Sequence, residues 1–269
     1  MPKSVRLFRQ RLNFAGLHEA EDYYSRVTDG MEETFATIAL AAIPKDGIVL
    51  DIGANIGVTA SILSQVVYDG HVHAFEASPA VYSVLERNVR ENNLRVTPHH
   101  LAMSDAPGEI HFSENSAWGF ISGHASAPIV RATTIDEFVL EKGLQRLDFI
   151  KLDVEGFEWH VLRGATETIR RFKPLIYCEF NCWTLIYHSR VSPLDFAEWL
   201  LAKFPQVYYI GLPLLRIPKD GGRMLVESNV WTANSVQDLL LAQDDFDGLQ
   251  HDLRAGPGNL HRTISGVSA

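Results

Sequence analysis

The sequence predicts an α/β fold built on a doubly wound, mostly parallel sheet, and three observations carry that expectation. Short apolar runs alternate with helix-length stretches from Gly47 to about Ala242. Such alternation calls for parallel strands joined by right-handed crossovers. The first run, Ile48-Val49-Leu50-Asp51-Ile52, passes directly into Gly53, as a buried strand ending in a tight turn does. The length, 269 residues, has room for one large domain around such a sheet or two small ones.

The elements follow in order. Residues 1–46 read as an N-terminal helical cap. Lys3, Arg6, Arg9 and Arg11 interleave there with Val5, Leu7, Phe8 and Leu12, without a single clean apolar face. A helix packed on its own domain is favoured over one lying on a partner or membrane surface. A second helix is expected over 32–41, with acids in its first turn. Within 47–243, strands are expected over 48–52, 72–76, 96–102, 147–153, 174–180 and 207–210. Helices are expected over 58–67, 79–92, 134–141, 158–171 and 194–204. Pro79 suits the first turn of its helix, where a missing N–H costs nothing. Leu214-Leu215-Arg216-Ile217 and Met224-Leu225-Val226 flank a Gly-containing turn and read as an edge hairpin. Residues 244–269, with Asp244-Asp245, Ala255-Gly256-Pro257-Gly258 and an end of Ser, Gly and Ala, read as a weakly ordered tail.

Composition removes several classes of function. A net charge of -9 argues against a surface that grips nucleic acid, because phosphate contacts need clustered Lys and Arg. No apolar run reaches the roughly 18 residues of a membrane span, so no transmembrane segment is expected. Cys178 and Cys182 are too few for a disulfide framework, which favours a reducing, cytoplasmic setting. Homo-oligomerisation is compatible with the sequence.

The sharpest motif is Val49-Leu50-Asp51-Ile52-Gly53-Ala54-Asn55-Ile56-Gly57. Glycine permits close backbone approach to a ligand, and the following helix start offers free amides. The dinucleotide fingerprint needs a Gly-x-Gly-x-x-Gly spacing that Gly53 and Gly57 do not supply. Asp51 before the turn would repel a pyrophosphate and suits an ammonium. Glu76 ends the next strand, about one βαβ unit later, where an acid accepts hydrogen bonds from ribose hydroxyls. A ribose plus an ammonium without a pyrophosphate describes S-adenosylmethionine.

On these residues the chain resembles a known family. Residues 49–57 look like the first motif of class I, Rossmann-like S-adenosylmethionine-dependent methyltransferases. Asp148-Phe149-Ile150-Lys151-Leu152-Asp153-Val154-Glu155-Gly156-Phe157-Glu158, continued by Val161-Leu162-Arg163-Gly164-Ala165, resembles the hallmark of the FkbM type. Leu101-Ala102-Met103-Ser104-Asp105 and Thr133-Thr134-Ile135-Asp136-Glu137-Phe138 fit the same family. The resemblance implies a seven-stranded sheet, parallel except for one strand in a terminal hairpin. It also implies that Asp51, Gly53, Asn55 and Gly57 hold the methionine end of the cofactor, and that Glu76 holds the ribose. Asp105 would contact the adenine amino group, with Ser104 beside it. Asp153 would face the methionine end or the methyl acceptor.

The implied activity is O-methylation of a small-molecule or glycan hydroxyl by direct displacement, for which alignment supplies much of the catalysis. The acceptor must lose a proton, and Asp153, Glu179, His188 and His160 are the candidate bases. The aromatics of Ser116-Ala117-Trp118-Gly119-Phe120 can stack on a sugar or pack over the core. Asp153, Glu179 and Asn181 could converge as oxygen ligands, but strand-end acids are common without an ion and no metal is expected. The basic N-terminus favours an anionic or lipid-linked acceptor. The reading that stays open beside the enzyme is a catalytically silent binding protein on the same fold. The acidic charge and the lack of an Asn/Asp-Pro-Pro-aromatic motif speak against an RNA methyltransferase.

Overall fold

The computed structural model describes residues 2–18, 22–113, 120–121, 128–211, 213–231 and 236–244. It opens with β1 (Lys3–Leu7) and β2 (Gln10–Phe14), an antiparallel pair with Val5 opposite Leu12. This corrects the helix expected at the extreme N-terminus. Val5, Leu7, Leu12 and Phe14 are buried in strict alternation with exposed neighbours, a period of two that gives no helical face. Phe8, at φ 55°, makes the turn. The helices α1 (Asp22–Arg26) and α2 (Glu33–Ala42) follow.

The doubly wound core begins with β3 (Ile48–Ile52), α3 (Val58–Val66), β4 (His71–Glu76), α4 (Pro79–Glu91) and β5 (Val96–His100). An insertion then builds a small sheet from β6 (Ala102–Met103), β7 (Gly108–Ser113), β8 (Phe120–Ile121) and β9 (Ile129–Thr133). The core resumes with α5 (Ile135–Glu141), β10 (Phe149–Leu152), α6 (Glu158–Arg163), α7 (Thr166–Phe172), β11 (Leu175–Asn181) and α8 (Cys182–Tyr187). It ends with α9 (Pro193–Lys203), β12 (Gln206–Tyr209), β13 (Leu215–Arg216), α10 (Gly222–Trp231) and β14 (Val236–Ala242).

The main sheet runs β13-β12-β14-β11-β10-β3-β4-β5. The pairs from β5 through β4, β3 and β10 to β11 are parallel, and β14 lies antiparallel between β11 and β12. The implied seven strands are therefore present, with β13 as an added short edge. The hairpin is not where the turn signal put it. Residues 224–226 lie in α10, and the antiparallel strand is β14, carried by the apolar run Leu239-Leu240-Leu241. The helix expected over 158–171 breaks into α6 and α7 at Gly164, whose α-carbon abuts the carbonyl of Ser104. The tail expected from 244 lies, beyond Asp244, outside the described residues. So does the aromatic loop over 116–120, except for the backbone of Phe120 in β8.

Side-chain caps set several helix starts. Ser78 Oγ accepts the amide of Val81 at 3.2 Å at α4, and Thr134 Oγ1 accepts that of Glu137 at 3.0 Å at α5. One apolar cluster joins the N-terminal hairpin, α2, α3 and α4 to the sheet, and a second fills the opposite side beneath α5, α6, α7 and α9. All nine residues of α3 are buried, because the hairpin covers the face that would otherwise meet water. Asn88 pins this arrangement. Its Oδ1 accepts the Ala15 amide at 2.8 Å, and its Nδ2 donates to the carbonyls of Ala15 and Ile56 at 3.0 and 2.9 Å. The strand order reverses between β3 and β10, which leaves a crevice at the carboxyl ends of those strands.

Candidate active site

A cavity of about 320 Å³ occupies that crevice. Its floor comes from the ends of β3, β4, β10 and β11 and the start of β14, and the N-terminal segment contributes Tyr23, Arg26, Met31, Glu32 and Phe35 as a wall. The β3 turn is held by Gly53 and Ala54, whose amides donate to the Phe75 carbonyl at 3.0 and 2.9 Å. Gly53 has φ 76° and lies so close to the Asp153 carbonyl that no β-carbon fits. Gly57, at φ 98°, caps α3. Three non-glycine residues that line the cavity, Glu32, Asn55 and Glu155, also hold left-handed backbones, at φ 64°, 51° and 54°. Such conformations cost about 1–3 kcal/mol each and collect where function demands a particular geometry.

Of the residues singled out in the sequence, Gly53, Asn55, Glu76, Asp153 and Glu179 meet around the cavity. Asp51 is fully buried just below it. Its Oδ2 accepts from Thr59 Oγ1 at 2.8 Å, and its Oδ1 lies 3.7 Å from Lys151 Nζ without a hydrogen-bond partner. Lys151 Nζ donates to the Gly53 carbonyl at 3.0 Å and stands 3.4 Å from Asp153 Oδ2, so one ammonium ties the glycine turn to two strand-end acids. Glu76 Oε2 accepts the Asn55 amide at 3.0 Å, and its Oε1 accepts that of Ser78 at 2.8 Å.

Other candidates lie off the cavity lining. Asp105 Oδ2 is 3.2 Å from His160 Nδ1 and 3.4 Å from Arg163, and Ser104 Oγ donates to Asp105 Oδ1 at 3.3 Å. His188 Nδ1 donates to the Glu155 carbonyl at 2.8 Å and buttresses the strained turn from outside. Asn181 Oδ1 accepts the amides of Trp183 and Thr184, so it caps α8. Sequence reasoning missed Tyr23, Glu32, Tyr177 and Asp238. The readable signal for Asp238 was a lone acid beside Leu239-Leu240-Leu241; it pairs with Glu179 across the β11–β14 ladder, and its Oδ2 accepts from Tyr177 Oη at 2.8 Å.

The crowding of acids sets the electrostatics. Burial pushes the Glu76 carboxyl up to about 7, against the pull of the Ser78 and Asn55 amides. Burial, then Asp153 and Glu158, push Glu155 up to about 8. Glu158 rises to about 7 by burial, although its Oε1 accepts the amides of Val154 and Gly156 at 3.0 and 3.2 Å. Asp238 rises to about 6 by burial, with the Tyr177 hydroxyl pulling back. Glu179 goes well above the carboxylate range through burial and the nearby Asp153 and Glu158. Lys151 is the exception: burial would lower it, but Asp153 and Asp51 outweigh burial and hold the ammonium charged.

The family profile of the FkbM methyltransferase domain matches residues 51–201, from the acid of the glycine turn to α9. The chain belongs to the FkbM methyltransferase family. This FkbM chain is 28% identical over 173 residues to the hexuronic acid methyltransferase AglP of Haloferax volcanii, covering 63% of this chain and 67% of that protein. It is 27% identical over 157 residues to the 2-O-methyltransferase NoeI of Sinorhizobium fredii, covering 51% and 64% respectively. The matches thus span about two thirds of these relatives' lengths. Among solved structures, the T. Thermophilus 16S rRNA N2 G1207 methyltransferase RsmC, in complex with AdoMet and guanosine, superposes with a TM-score of 0.51 at 12% identity. That alignment covers 91% of this chain and 50% of RsmC and shows the class I fold.

Family and fold make this FkbM chain a methyltransferase that uses S-adenosylmethionine, and the cavity fits that cofactor. Among the described residues Glu32, Glu76, Asp153, Glu155, Glu179 and Asp238 line it beside Arg26 and Lys151, and a cationic sulfonium or ammonium would favour the ionised forms of these acids. Ile52, Phe75, Leu101, Met103 and Phe112 provide the apolar surface an adenine ring needs. No described helix is long and apolar enough to cross a membrane.

Proposed function

We propose that this methyltransferase methylates a hydroxyl group of a sugar or sugar-like acceptor. The observation that carries the reading is the acidic end of the cavity, where Asp153, Glu155 and Glu179 converge beyond the glycine turn. S-adenosylmethionine supplies an already activated methyl group. What remains for the chain is to orient the acceptor and take its proton. Glu76 would accept the ribose hydroxyls, and Gly53 and Asn55, with Asp51 and Gly57 behind them, would shape the methionine end. Asp153, the more exposed partner of Lys151, would face the acceptor and take its proton as general base. Glu179 lines the same end, where burial and the nearby Asp153 raise its carboxyl above the ordinary range.

The sugar class rests on the similarity to AglP, a hexuronic acid methyltransferase, and the oxygen acceptor on the similarity to NoeI, a 2-O-methyltransferase. Asp105 is proposed as an adenine contact only after release from His160 and Arg163. The protein is expected to act in the cytoplasm, without nucleic acid, and residues 47–243 are proposed as its catalytic domain. The test is incubation with S-adenosylmethionine and a panel of hexuronic acids and neutral oligosaccharides, followed by mass spectrometry. A sugar that gains one methyl group on oxygen supports the reading. No methylated sugar from protein that binds S-adenosylhomocysteine overturns it.

A further inference from the structure

We infer that Asp153, Glu158 and Glu179 form a site for one hard divalent cation, of the Mg²⁺, Mn²⁺ or Ca²⁺ class. One carboxylate oxygen from each lies within 4.8 Å of the others. With metal–oxygen distances of about 2.3–2.6 Å for Ca²⁺, two ligand oxygens can stand up to about 5 Å apart, so the three groups reach one ion with small inward shifts of their side chains. A smaller Mg²⁺ would draw them slightly inward.

Proximity of acids alone would not make a site, and a second observation points to a ligand. Glu158 is only 1% exposed. Its Oε1 is committed to the amides of Val154 and Gly156, which fix the side chain in the turn. Its Oε2 is buried and has no hydrogen-bond partner among the described residues, which leaves it available to an ion. Glu179 Oε2 is buried and unpartnered in the same way. A buried carboxylate oxygen without a partner costs free energy. Two of them on residues of one acidic cluster mark a place where a positive group belongs. Lys151 does not fill it: its ion pairs among the described residues are with Asp51 and Asp153, and its hydrogen bond goes to the Gly53 carbonyl.

The donor set decides the type of ion. All three donors are carboxylates, with no imidazole or thiolate among them, which favours a hard cation over zinc or copper. Asp153 is 41% exposed at its side chain, so the ion would keep open positions toward the cavity. This deepens the proposed reading of the acceptor end, because those positions would accept the oxygens of a polyhydroxylated acceptor and ease loss of its proton. Binding of the ion itself does not depend on that reading.

The experiment is titration of the full chain with Mn²⁺ alone, reading free Mn²⁺ by electron paramagnetic resonance. Saturable uptake of one Mn²⁺ per chain, displaced by Mg²⁺ or Ca²⁺ and weakened at least tenfold in Glu179→Gln, supports the site. Asp153→Asn, at a partly exposed position, should weaken uptake similarly, and it decides the matter if Glu179→Gln does not fold. No saturable uptake at millimolar Mn²⁺, or uptake unchanged in the folded variants, overturns the site. Failure here leaves sugar methylation untouched, whereas Mn²⁺ binding without any methylated sugar would count against the acceptor reading alone.

Discussion

Gly53 and Asp153, at the ends of neighbouring parallel strands, touch through the glycine α-carbon and the aspartate carbonyl with no room for a methyl group. Gly53→Ala would add both a clash and a left-handed strain, together costing about 2–5 kcal/mol. The expected outcome is a lower melting temperature and loss of S-adenosylhomocysteine binding by calorimetry. Unchanged binding would mean that the turn does not shape the cofactor cavity.

Lys151→Met should destabilise the chain by about 3–5 kcal/mol, because it strands the buried Asp51 carboxylate without a counter-charge. Urea unfolding measures this. The companion Asp51→Asn/Lys151→Met double variant should recover part of the loss, as expected when the penalty is an unpaired charge rather than a cavity.

Glu76, raised to about 7, should make cofactor affinity depend on pH. Only the ionised carboxylate fully accepts from ribose hydroxyls while holding the Asn55 and Ser78 amides. Affinity for S-adenosylhomocysteine should therefore rise roughly tenfold between pH values of about 6 and 8. In Glu76→Gln the affinity should be low and flat with pH over the same range.

The unliganded chain should lose stability as pH rises. Glu155, Glu158, Glu76 and Asp238 bind protons more tightly when folded, at about 8, 7, 7 and 6, than the ordinary 4.5 for glutamate and 3.8 for aspartate. The folded state thus holds extra protons between those limits. The contribution of these acids is fully present below the ordinary values and is lost as pH climbs through the raised ones. Melting curves from pH about 5 to about 8.5 should show the decline. Glu155→Gln should flatten its upper part.

Asp153→Asn should lower turnover on a sugar acceptor by roughly two to four orders of magnitude, the range for a lost positioned base. Cofactor affinity should change much less, since the Glu76 and Asn55 contacts remain. A matching fall in both quantities would move Asp153 to the cofactor.

The parallel core was legible because buried strands such as Ile48–Ile52 are apolar along their length and the glycine turn follows at once. The hairpin β1–β2 was not, since Val5, Leu7, Leu12 and Phe14 sit in two five-residue strands whose alternation is too brief to stand out beside the basic residues. Val236–Ala242 was missed because an apolar run next to acids carries no turn signal. In the site, Glu76 and Asp153 could be read from strand ends. Tyr23 and Glu32 could not, because only the docking of the N-terminal segment brings them to the cavity. Glu158 starts α6 as an ordinary first-turn acid would, and only its burial reveals the spare oxygen.

Asn88 spends one amide group on both the N-terminal segment and the glycine turn, through Ala15 and Ile56. Opening at either place releases the same side chain, so the two share one local unfolding event. The Ala15 amide lies on neither the glycine turn nor the cavity lining. Its rate of hydrogen–deuterium exchange should nevertheless slow when cofactor steadies the turn, which makes it a remote gauge of occupancy that needs no label in the active site.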